Sequence, residues 1–317
     1  MKLEDIGFYT LSDKRAENTS EQSPLWRCEL LLTDKCNFNC PYCRGMNQTG
    51  DLPEDWVEYV VTNWVADGLK NIRFSGGEPT LYSGLKEIVK YAGVHCDHVA
   101  ISTNGSASLK FYKELIALGV NDFSISLDAC CADFGDKMSG TKGSFGNVVN
   151  NIRELSKITY VTTGCVFDPE NIEQSLETVQ FAHDLGVADI RIISSAQYNE
   201  TLDFIEQIPY RILYEHPILK YRALNYMKGR NVRGINDTDC HKCHLVKDDM
   251  AISGEYHYPC IIHLREGGDP IGKFEHGYRQ QRLEWFEKHN SYKDPICRKN
   301  CLDVCVDYNN KCEELER

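Results

Sequence analysis

The stretch Leu32-Thr33-Asp34-Lys35-Cys36-Asn37-Phe38-Asn39-Cys40-Pro41-Tyr42-Cys43 decides the fold of this chain. Its three thiols are spaced CxxxCxxC and follow an apolar run of strand length, residues 27–33. A [4Fe–4S] cluster normally takes four thiolates, so three would leave one iron with an open coordination position. Zinc sites more often begin with two cysteines separated by two residues. The spacing therefore predicts an iron–sulfur cluster with a vacant corner at the end of a strand.

Downstream of this loop, strand-like apolar runs alternate with helix-like runs. Apolar residues at helical spacing, such as Trp56, Val60, Val61 and Trp64, mark the first of the helices. The pattern predicts a parallel sheet with right-handed crossovers, an α/β fold with six strands. The expected strands are 27–33, 69–74, 99–102, 123–127, 159–166 and 189–193, and the expected helices are 53–66, 81–92, 109–118, 145–155 and 171–185.

Three polar segments come at the predicted carboxyl ends of strands, where barrel and open α/β active sites lie. They are Ser75-Gly76-Gly77-Glu78-Pro79, Ser102-Thr103-Asn104-Gly105 and Ser124-Ile125-Ser126-Leu127-Asp128. With CxxxCxxC and an aromatic residue before its last cysteine, they resemble the radical SAM superfamily over roughly residues 27–195. The resemblance implies a partial (β/α)6 TIM barrel, a [4Fe–4S] cluster on Cys36, Cys40 and Cys43, and S-adenosyl-L-methionine (SAM) as cofactor. It also implies an enzyme that cleaves SAM reductively to a 5′-deoxyadenosyl radical, which removes a hydrogen atom from substrate.

The same resemblance implies a set of SAM-binding residues. Glycines allow close backbone approach, and backbone carbonyls and Glu78 can accept hydrogen bonds from the SAM ammonium group. Each position also has an ordinary structural explanation, such as a tight turn, a capped strand end or a surface lysine. The set is Tyr42, Gly76, Gly77, Glu78, Pro79, Ser102, Asn104, Ser126, Asp128 and Lys142.

Seven cysteines follow residue 239 in a segment where strand–helix alternation stops. The segment resembles the SPASM/twitch extension, which holds auxiliary iron–sulfur clusters, although its middle spacing has one cysteine fewer than usual. The resemblance implies one cluster on Cys240, Cys243, Cys260 and Cys305, and a possible second on Cys297, Cys301 and Cys312. The alternative is zinc, held by thiolates alone or with imidazoles from His241, His244, His257 and His263.

The predicted organisation is a lead-in (1–26), a radical SAM barrel (27–195), a connector (196–235) and an auxiliary-cluster domain (236–317). Fifteen cysteines with no signal-peptide pattern predict a cytoplasmic protein that uses thiols for metal or redox chemistry. No apolar run reaches the roughly 20 residues of a membrane span. A net charge of −12 disfavours a large nucleic-acid footprint. The basic residues near the end of the connector belong either to a solvated helix face or to an anion contact.

The expected function is oxidative modification of a ribosomal peptide, by crosslink, thioether or dehydrogenation, with flavodoxin or ferredoxin as reductant. The alternatives are a twitch-type enzyme acting on a sugar or nucleotide, and a non-catalytic iron–sulfur or zinc-binding protein. The seven late thiols favour a peptide, whereas the lack of room for a leader-binding domain before residue 27 favours a small molecule. Cys130 and Cys131 follow the fourth strand and could donate a hydrogen atom to a substrate radical.

Overall fold

A single sheet of nine strands runs through the part of the chain that the computed structural model describes, residues 13–45, 50–196, 198 and 202–316. Its strand order is β6-β5-β4-β3-β2-β1-β7-β8-β9. Residues 1–12 of the predicted lead-in, residues 197 and 199–201 of the predicted connector and residue 317 lie outside the described residues, as do residues 46–49.

The first six strands form the predicted parallel barrel wall. Every neighbouring pair from β1 to β6 is parallel, in sequence order. Helices cover the outer face, so these strands are mostly buried, as parallel strands are. This arrangement confirms the α/β partial-barrel prediction. The strands are β1 (Arg27–Leu31), β2 (Asn71–Ser75), β3 (His98–Thr103), β4 (Asp122–Ser126), β5 (Tyr160–Phe167) and β6 (Asp189–Ser194).

The helices between these strands bury one face each. In the helix after the cysteine loop, Val57, Val60, Val61 and Trp64 are buried, at the spacing of one helical face. Ser108 accepts a hydrogen bond from the Phe111 amide and so caps the helix after β3. The helices are α2 (Glu54–Ala66), α3 (Leu85–His95), α4 (Leu109–Ala117), α5 (Ala132–Ser139), α6 (Phe145–Leu155) and α7 (Ser175–Asp184), and α1 (Asp13–Asn18) precedes the barrel.

Two helices differ from the sequence expectation. Helix α5 was not predicted, because its sequence carries few apolar residues and a glycine. The helix expected over residues 171–185 begins instead with a short 3₁₀ turn, Ile172–Gln174. Asn171 explains this start, since its amide donates to the carbonyls of Asp128 and Val166 and ties the turn to the strand ends.

The C-terminal cysteine-rich part continues the barrel sheet. Strand β7 (Asp249–Ser253) pairs in parallel with β1, and β8 (Tyr256–Tyr258) and β9 (Gly272–Lys273) follow in antiparallel order. Met250 and Ile252 are buried in the main hydrophobic core. The sheet therefore continues across the domain boundary that the sequence predicts at residue 236. Helices α10 (Ile261–Arg265), α11 (Tyr278–Lys288), α12 (Pro295–Asn300) and α13 (Asp303–Glu316) complete this part.

The connector carries helices α8 (Tyr210–Glu215) and α9 (Pro217–Met227), and two of its basic residues are paired inside the protein. Buried Arg222 contacts Asp303, and Arg230 lies 2.8 Å from an Asp239 oxygen. These two residues hold the connector to the C-terminal part rather than forming the solvated face or anion contact considered from the sequence. In the described ranges, no helix combines the length and apolar composition needed to cross a bilayer.

Candidate active site

The CxxxCxxC loop begins where β1 ends and is anchored on both sides. Thr33 donates its hydroxyl to Asp51 at 2.6 Å and accepts the Lys35 amide at 3.0 Å. At the far side, the Asn39 amide donates to the Ser139 carbonyl at 2.8 Å. The loop is therefore held by the strand end and by the end of α5, while its thiols remain open.

The three thiols of this loop lie together and accept hydrogen bonds from it. The amides of Phe38 and Gly45 lie 3.4 Å from the sulfurs of Cys36 and Cys43, respectively. Burial, together with the charges of Asp128 and of the two other thiols, raises the pKa of Cys40 to about 12. Gathering the thiols therefore disfavours the ionised form of Cys40 unless a cation compensates. Exposed, convergent thiols with N–H donors fit a cluster iron centre with one open position.

The Gly-Gly-Glu-Pro loop packs directly against the cysteine loop. A Cβ at Gly76 would lie 2.4 Å from the Thr33 carbonyl oxygen, and one at Gly77 would lie 2.4 Å from that of Lys35. The Gly77 amide donates to Thr33, and the Glu78 amide donates to Lys35. Only glycine permits this approach, so the two loops form one surface.

Glu78 corrects one expectation. Its side chain is fully buried, and its two carboxylate oxygens accept hydrogen bonds from Thr80, Thr103 and the Asn104 amide. No surface remains with which it could meet the ammonium group of a ligand. Glu78 instead fixes the loop to the end of β3, so the backbone of the loop is left to contact a ligand.

A cleft with about 450 Å³ of empty volume opens beside Cys40. Asn104, Ser126 and Asp128 from the ends of β3 and β4 line it, as the sequence predicts for SAM-binding positions. Asn104 also donates to Cys36 at 3.8 Å. Asp128 accepts hydrogen bonds from the Tyr42 hydroxyl and the Val166 amide, and burial raises its pKa to about 6. Asp128 thus positions Tyr42, next to the last cluster thiol.

Besides Tyr42 and the residues of the Gly-Gly-Glu-Pro loop, four expected site residues do not line this cleft. Ser102 accepts a hydrogen bond from Arg73 inside the barrel. Lys142 is exposed on the loop after α5. The Cys130 thiol faces Gln174 at 4.0 Å, and Cys131 is exposed at the start of α5. Neither Cys130 nor Cys131 lines the cleft, although Ala129 before them does.

Charged side chains inside the barrel were missed from the sequence. Arg73 lies 3.4 Å from Asp122 and also donates to Ser102, and Arg191 donates to Ser124. Burial opposes ionisation of Asp122, but the hydrogen bond from His98 and the charge of Arg73 bring its pKa below the usual range. The sequence feature that could have revealed them is a single charged residue within an otherwise apolar strand. Together with Asp122, the two arginines give the barrel interior polar walls that carry charges of both signs.

In the C-terminal part, five thiols surround one cavity, which has about 450 Å³ of empty volume. They are Cys243, Cys260, Cys297, Cys301 and Cys305. Burial raises the pKa of Cys260 to about 12, and Cys301 donates a hydrogen bond that lowers the pKa of Cys305. Four or more thiols converging in an enclosed cavity fit a cluster with all of its irons ligated by protein.

This grouping differs from the two sets expected from the sequence. Neither Cys240 nor Cys312 lines the cavity. The Cys240 thiol accepts the Lys242 amide at 3.4 Å, while Cys312 packs with Ala16 and Tyr308 between α1 and α13. The two-residue spacing between Cys240 and Cys243 suggested that both thiols bind one cluster, but only Cys243 lines the cavity.

Of the four histidines considered as zinc ligands, only His263 lies among possible metal ligands of the described chain. His257 contacts Gln281 and Arg282, His244 packs against Phe286, and His241 stacks on Tyr292.

The C-terminal part reaches the first site through the turn after α10. Arg265 donates to the Gly76 carbonyl at 3.4 Å, and Glu266 pairs with Arg44 at 3.0 Å. Arg44 follows the last cysteine of the loop directly. Both contacts were missed because residues far apart in sequence make them. They join the segment that carries Cys260 to both loops of the candidate SAM site.

Comparisons with known proteins agree with this geometry. The model of the radical SAM superfamily matches residues 30–182. GTP 3′,8-cyclase of Rhizobium leguminosarum bv. trifolii is 29% identical over 181 residues, 53% of this chain and 51% of that protein. The chain therefore spans about half the length of this curated relative.

Two solved structures share the fold over most of the chain. Streptococcus suis SuiB bound to precursor peptide SuiA matches 90% of this chain and 67% of its own, with a TM-score of 0.57 and 16% identity. Native anSMEcpe with bound AdoMet and Cp18Cys peptide matches 92% of this chain and 95% of its own, with a TM-score of 0.58 and 13% identity. At these identities the likeness concerns the fold alone.

Proposed function

Since residues 30–182 match the model of the radical SAM superfamily, we propose that the chain is a radical SAM enzyme that oxidises a peptide substrate by removing a hydrogen atom from an unreactive C–H bond. The observation that carries this proposal is the enclosed five-thiol cavity, joined through Arg265 and Glu266 to the loops of the SAM site. An oxidative outcome requires a second acceptor for the electron left on the substrate, and thiols at that cavity are suited to hold one.

In this proposal, Cys36, Cys40 and Cys43 hold the first cluster. Bound SAM and cluster would together supply a 5′-deoxyadenosyl radical. The backbone of Gly76 and Gly77 and the side chains of Asn104 and Ser126 would bind and orient SAM. Asp128 would hold Tyr42 beside the cluster loop, and Glu78 would keep the glycine loop in place. The chain thereby positions the reacting groups and limits stray hydrogen donors.

We assign the auxiliary cluster to four of the five cavity thiols. Its site lies next to Arg27 and Arg222, whose charges favour the ionised form of Cys305. Cationic neighbours of this kind offset the negative charge of a thiolate-bound cluster. The substrate would lose one hydrogen atom to the radical, one electron to this centre and one proton to solvent.

A peptide is favoured as substrate because the likeness to SuiB and anSMEcpe, each solved with a peptide, extends over nine-tenths of this chain. Because only about half of the curated relative is matched, that relative leaves the substrate class open. The reductant expected from the sequence, a flavodoxin or ferredoxin, belongs to the same proposal.

The test is anaerobic reconstitution with iron and sulfide, followed by dithionite and SAM. We expect 5′-deoxyadenosine from the wild type and none from the Cys36→Ala/Cys40→Ala/Cys43→Ala variant. Cys96→Ala, in the barrel core away from both thiol groups, is the matched control and should keep the activity. Co-expression with peptides encoded beside the gene should then yield a peptide lighter by two hydrogen atoms. If the wild-type protein forms no 5′-deoxyadenosine, the proposed radical SAM activity is wrong. If the peptides keep their mass, the proposed substrate class is wrong.

A second candidate is a small-molecule substrate of the sugar or nucleotide class. It is favoured by the curated relative named GTP 3′,8-cyclase and by the polar barrel interior, in which Arg73 and Arg191 donate hydrogen bonds to Ser102 and Ser124. Incubation with nucleoside triphosphates and SAM distinguishes the two classes. A nucleotide that raises 5′-deoxyadenosine formation and is itself converted would favour this second candidate over a peptide.

A further inference from the structure

Beside the five-thiol cavity, four potential metal ligands from three helix ends converge. His263 belongs to α10, His289 follows the last residue of α11, Asp294 precedes α12 and Cys297 lies in its first turn. Ligand atoms of His263, Asp294 and Cys297 all lie within 4.8 Å of one another. The His289 Nε2 atom lies 3.8 Å from both the Asp294 Oδ2 and the Cys297 Sγ.

These separations match the edges of a tetrahedral zinc site. With zinc–nitrogen and zinc–oxygen distances near 2.1 Å and zinc–sulfur near 2.3 Å, neighbouring ligand atoms are about 3.4–3.6 Å apart. The measured edges are 3.5 Å for His263 Nε2 to Asp294 Oδ2 and 3.8 Å for the two edges at His289. The contacts between nitrogen and oxygen are too long for ordinary hydrogen bonds, whose donor–acceptor distances are about 2.7–3.2 Å. His263, Asp294 and Cys297 form the compact part of the group, and His289 adjoins it through Asp294 and Cys297.

The two oxygens of Asp294 have separate partners. Its Oδ1 accepts the amides of Ile296 and Cys297 at 2.8 and 2.9 Å and so caps α12. Its Oδ2 is directed to the two imidazoles. The helix cap uses only Oδ1. It therefore orients Oδ2 and leaves that oxygen available to a cation.

The imidazoles are also held in place. The His289 ring stacks on Trp285 with a centroid separation of 3.8 Å, and the His263 ring meets the same indole edge-on at 6.4 Å. Packing that fixes ring orientation is typical of metal-ligating histidines.

We propose that His263, His289, Asp294 and Cys297 bind one Zn²⁺, separate from the auxiliary cluster. The assignment uses the fifth cavity thiol and leaves Cys243, Cys260, Cys301 and Cys305, the four thiolates that a cluster takes. The ion joins the ends of α10, α11 and α12, and its role is structural because all four ligands come from the protein. The proposal goes beyond the proposed function and does not depend on SAM cleavage.

Metal analysis of the full-length protein, purified anaerobically with iron and zinc in the growth medium, tests this proposal. We expect about one zinc per chain in the wild type. In Asp294→Asn and His289→Gln, zinc should fall at least about tenfold while iron stays unchanged, because these variants remove a zinc ligand only. Asparagine also caps helices well, so Asp294→Asn should keep α12. His241→Gln is the matched control, since its ring stacks on Tyr292 and is not a ligand, and it should keep its zinc.

X-ray absorption at the zinc edge identifies the ligand atoms of the ion in the wild type. Its result does not depend on whether a variant folds. The expected first shell has three nitrogen or oxygen atoms and one sulfur. A wild type without zinc, a first shell of sulfur alone, or loss of iron instead of zinc from Asp294→Asn and His289→Gln would overturn the proposal. The last result would make these residues part of the cluster site, and 5′-deoxyadenosine formation would report on the proposed function independently.

Discussion

The two thiol groups of this protein differ in how the fold surrounds them. Cys36 and Cys43 are exposed and Cys40 is half-buried on a polar loop outside the core. Among the cavity thiols, Cys305 is buried in a small hydrophobic core with Leu245 and Tyr308, and the other four are half-buried. A centre that must exchange a ligand needs an open side, whereas one fully ligated by protein can form part of the packing. Metal loss should therefore have different consequences at the two places.

The largest expected effect is on activity. Replacing Cys36, Cys40 and Cys43 together by alanine should reduce 5′-deoxyadenosine formation to background. The free energy of unfolding of the metal-free protein should change by only about 0.5 kcal/mol, because exposed loop positions contribute little to stability. Activity assays and denaturant unfolding measure the two quantities. A large loss of stability would mean that the loop thiols belong to the packing after all, and the contrast would fail.

At the enclosed group, Cys305→Ala should destabilise the holoprotein by about 3 kcal/mol, through lost packing and a lost cluster ligand. The damage should be local. Hydrogen exchange should increase in α10 to α13 and remain low in β2 to β5. Cys131→Ala, an exposed thiol before α5, is the comparison variant. Equal exchange changes throughout the barrel would show that the two regions unfold as one unit.

The barrel should also have a pH dependence of its own, set by Asp189 rather than by metal. Burial raises the pKa of Asp189 to about 6, although the amides of Ile218 and Leu219 partly oppose this shift. Because an unfolded aspartate titrates near 3.9, the folded state binds the extra proton, and stability falls as pH rises from about 4 to 6. The loss is on the order of 2 kcal/mol.

Asp189→Asn should remove the contribution of Asp189 to this part of the stability profile, because asparagine does not ionise. The contribution of Asp128, whose pKa burial also raises to about 6, remains in the variant. Denaturant midpoints of the wild type and the variant, measured from pH 4 to 8, give the comparison. A wild-type stability that rises between pH 4 and 6 relative to the variant would contradict the assigned direction of the pKa shift.

The smallest expected effect lies at the junction of the two regions. Arg265→Ala removes the hydrogen bond to the Gly76 carbonyl and should raise the KM for SAM roughly three- to fivefold, corresponding to about 0.5–1 kcal/mol. Lys288→Ala, at the exposed end of α11, serves as the control. An unchanged KM for SAM would indicate that the C-terminal part does not influence the glycine loop.

Much of the barrel could be predicted because its determinants are local. Apolar spacing marked α2, and the motifs at the ends of β1 to β4 marked the candidate SAM site. The burial of Glu78 could not be predicted, because Thr103 and Asn104 of the next strand surround its carboxylate. The contact of Cys130 with Gln174 escaped prediction for a related reason, since the two residues are far apart in sequence.

The sequence by itself determined the family, the parallel strand–helix order and the three loop thiols, since spacing along the chain carries each of these. Only the tertiary structure decided which late thiols share a cavity, that β7 joins the barrel sheet, and that His289 and Asp294 lie beside Cys297. These features depend on contacts between residues far apart in sequence. Packing and helix ends set such contacts, and they leave no fixed spacing along the chain.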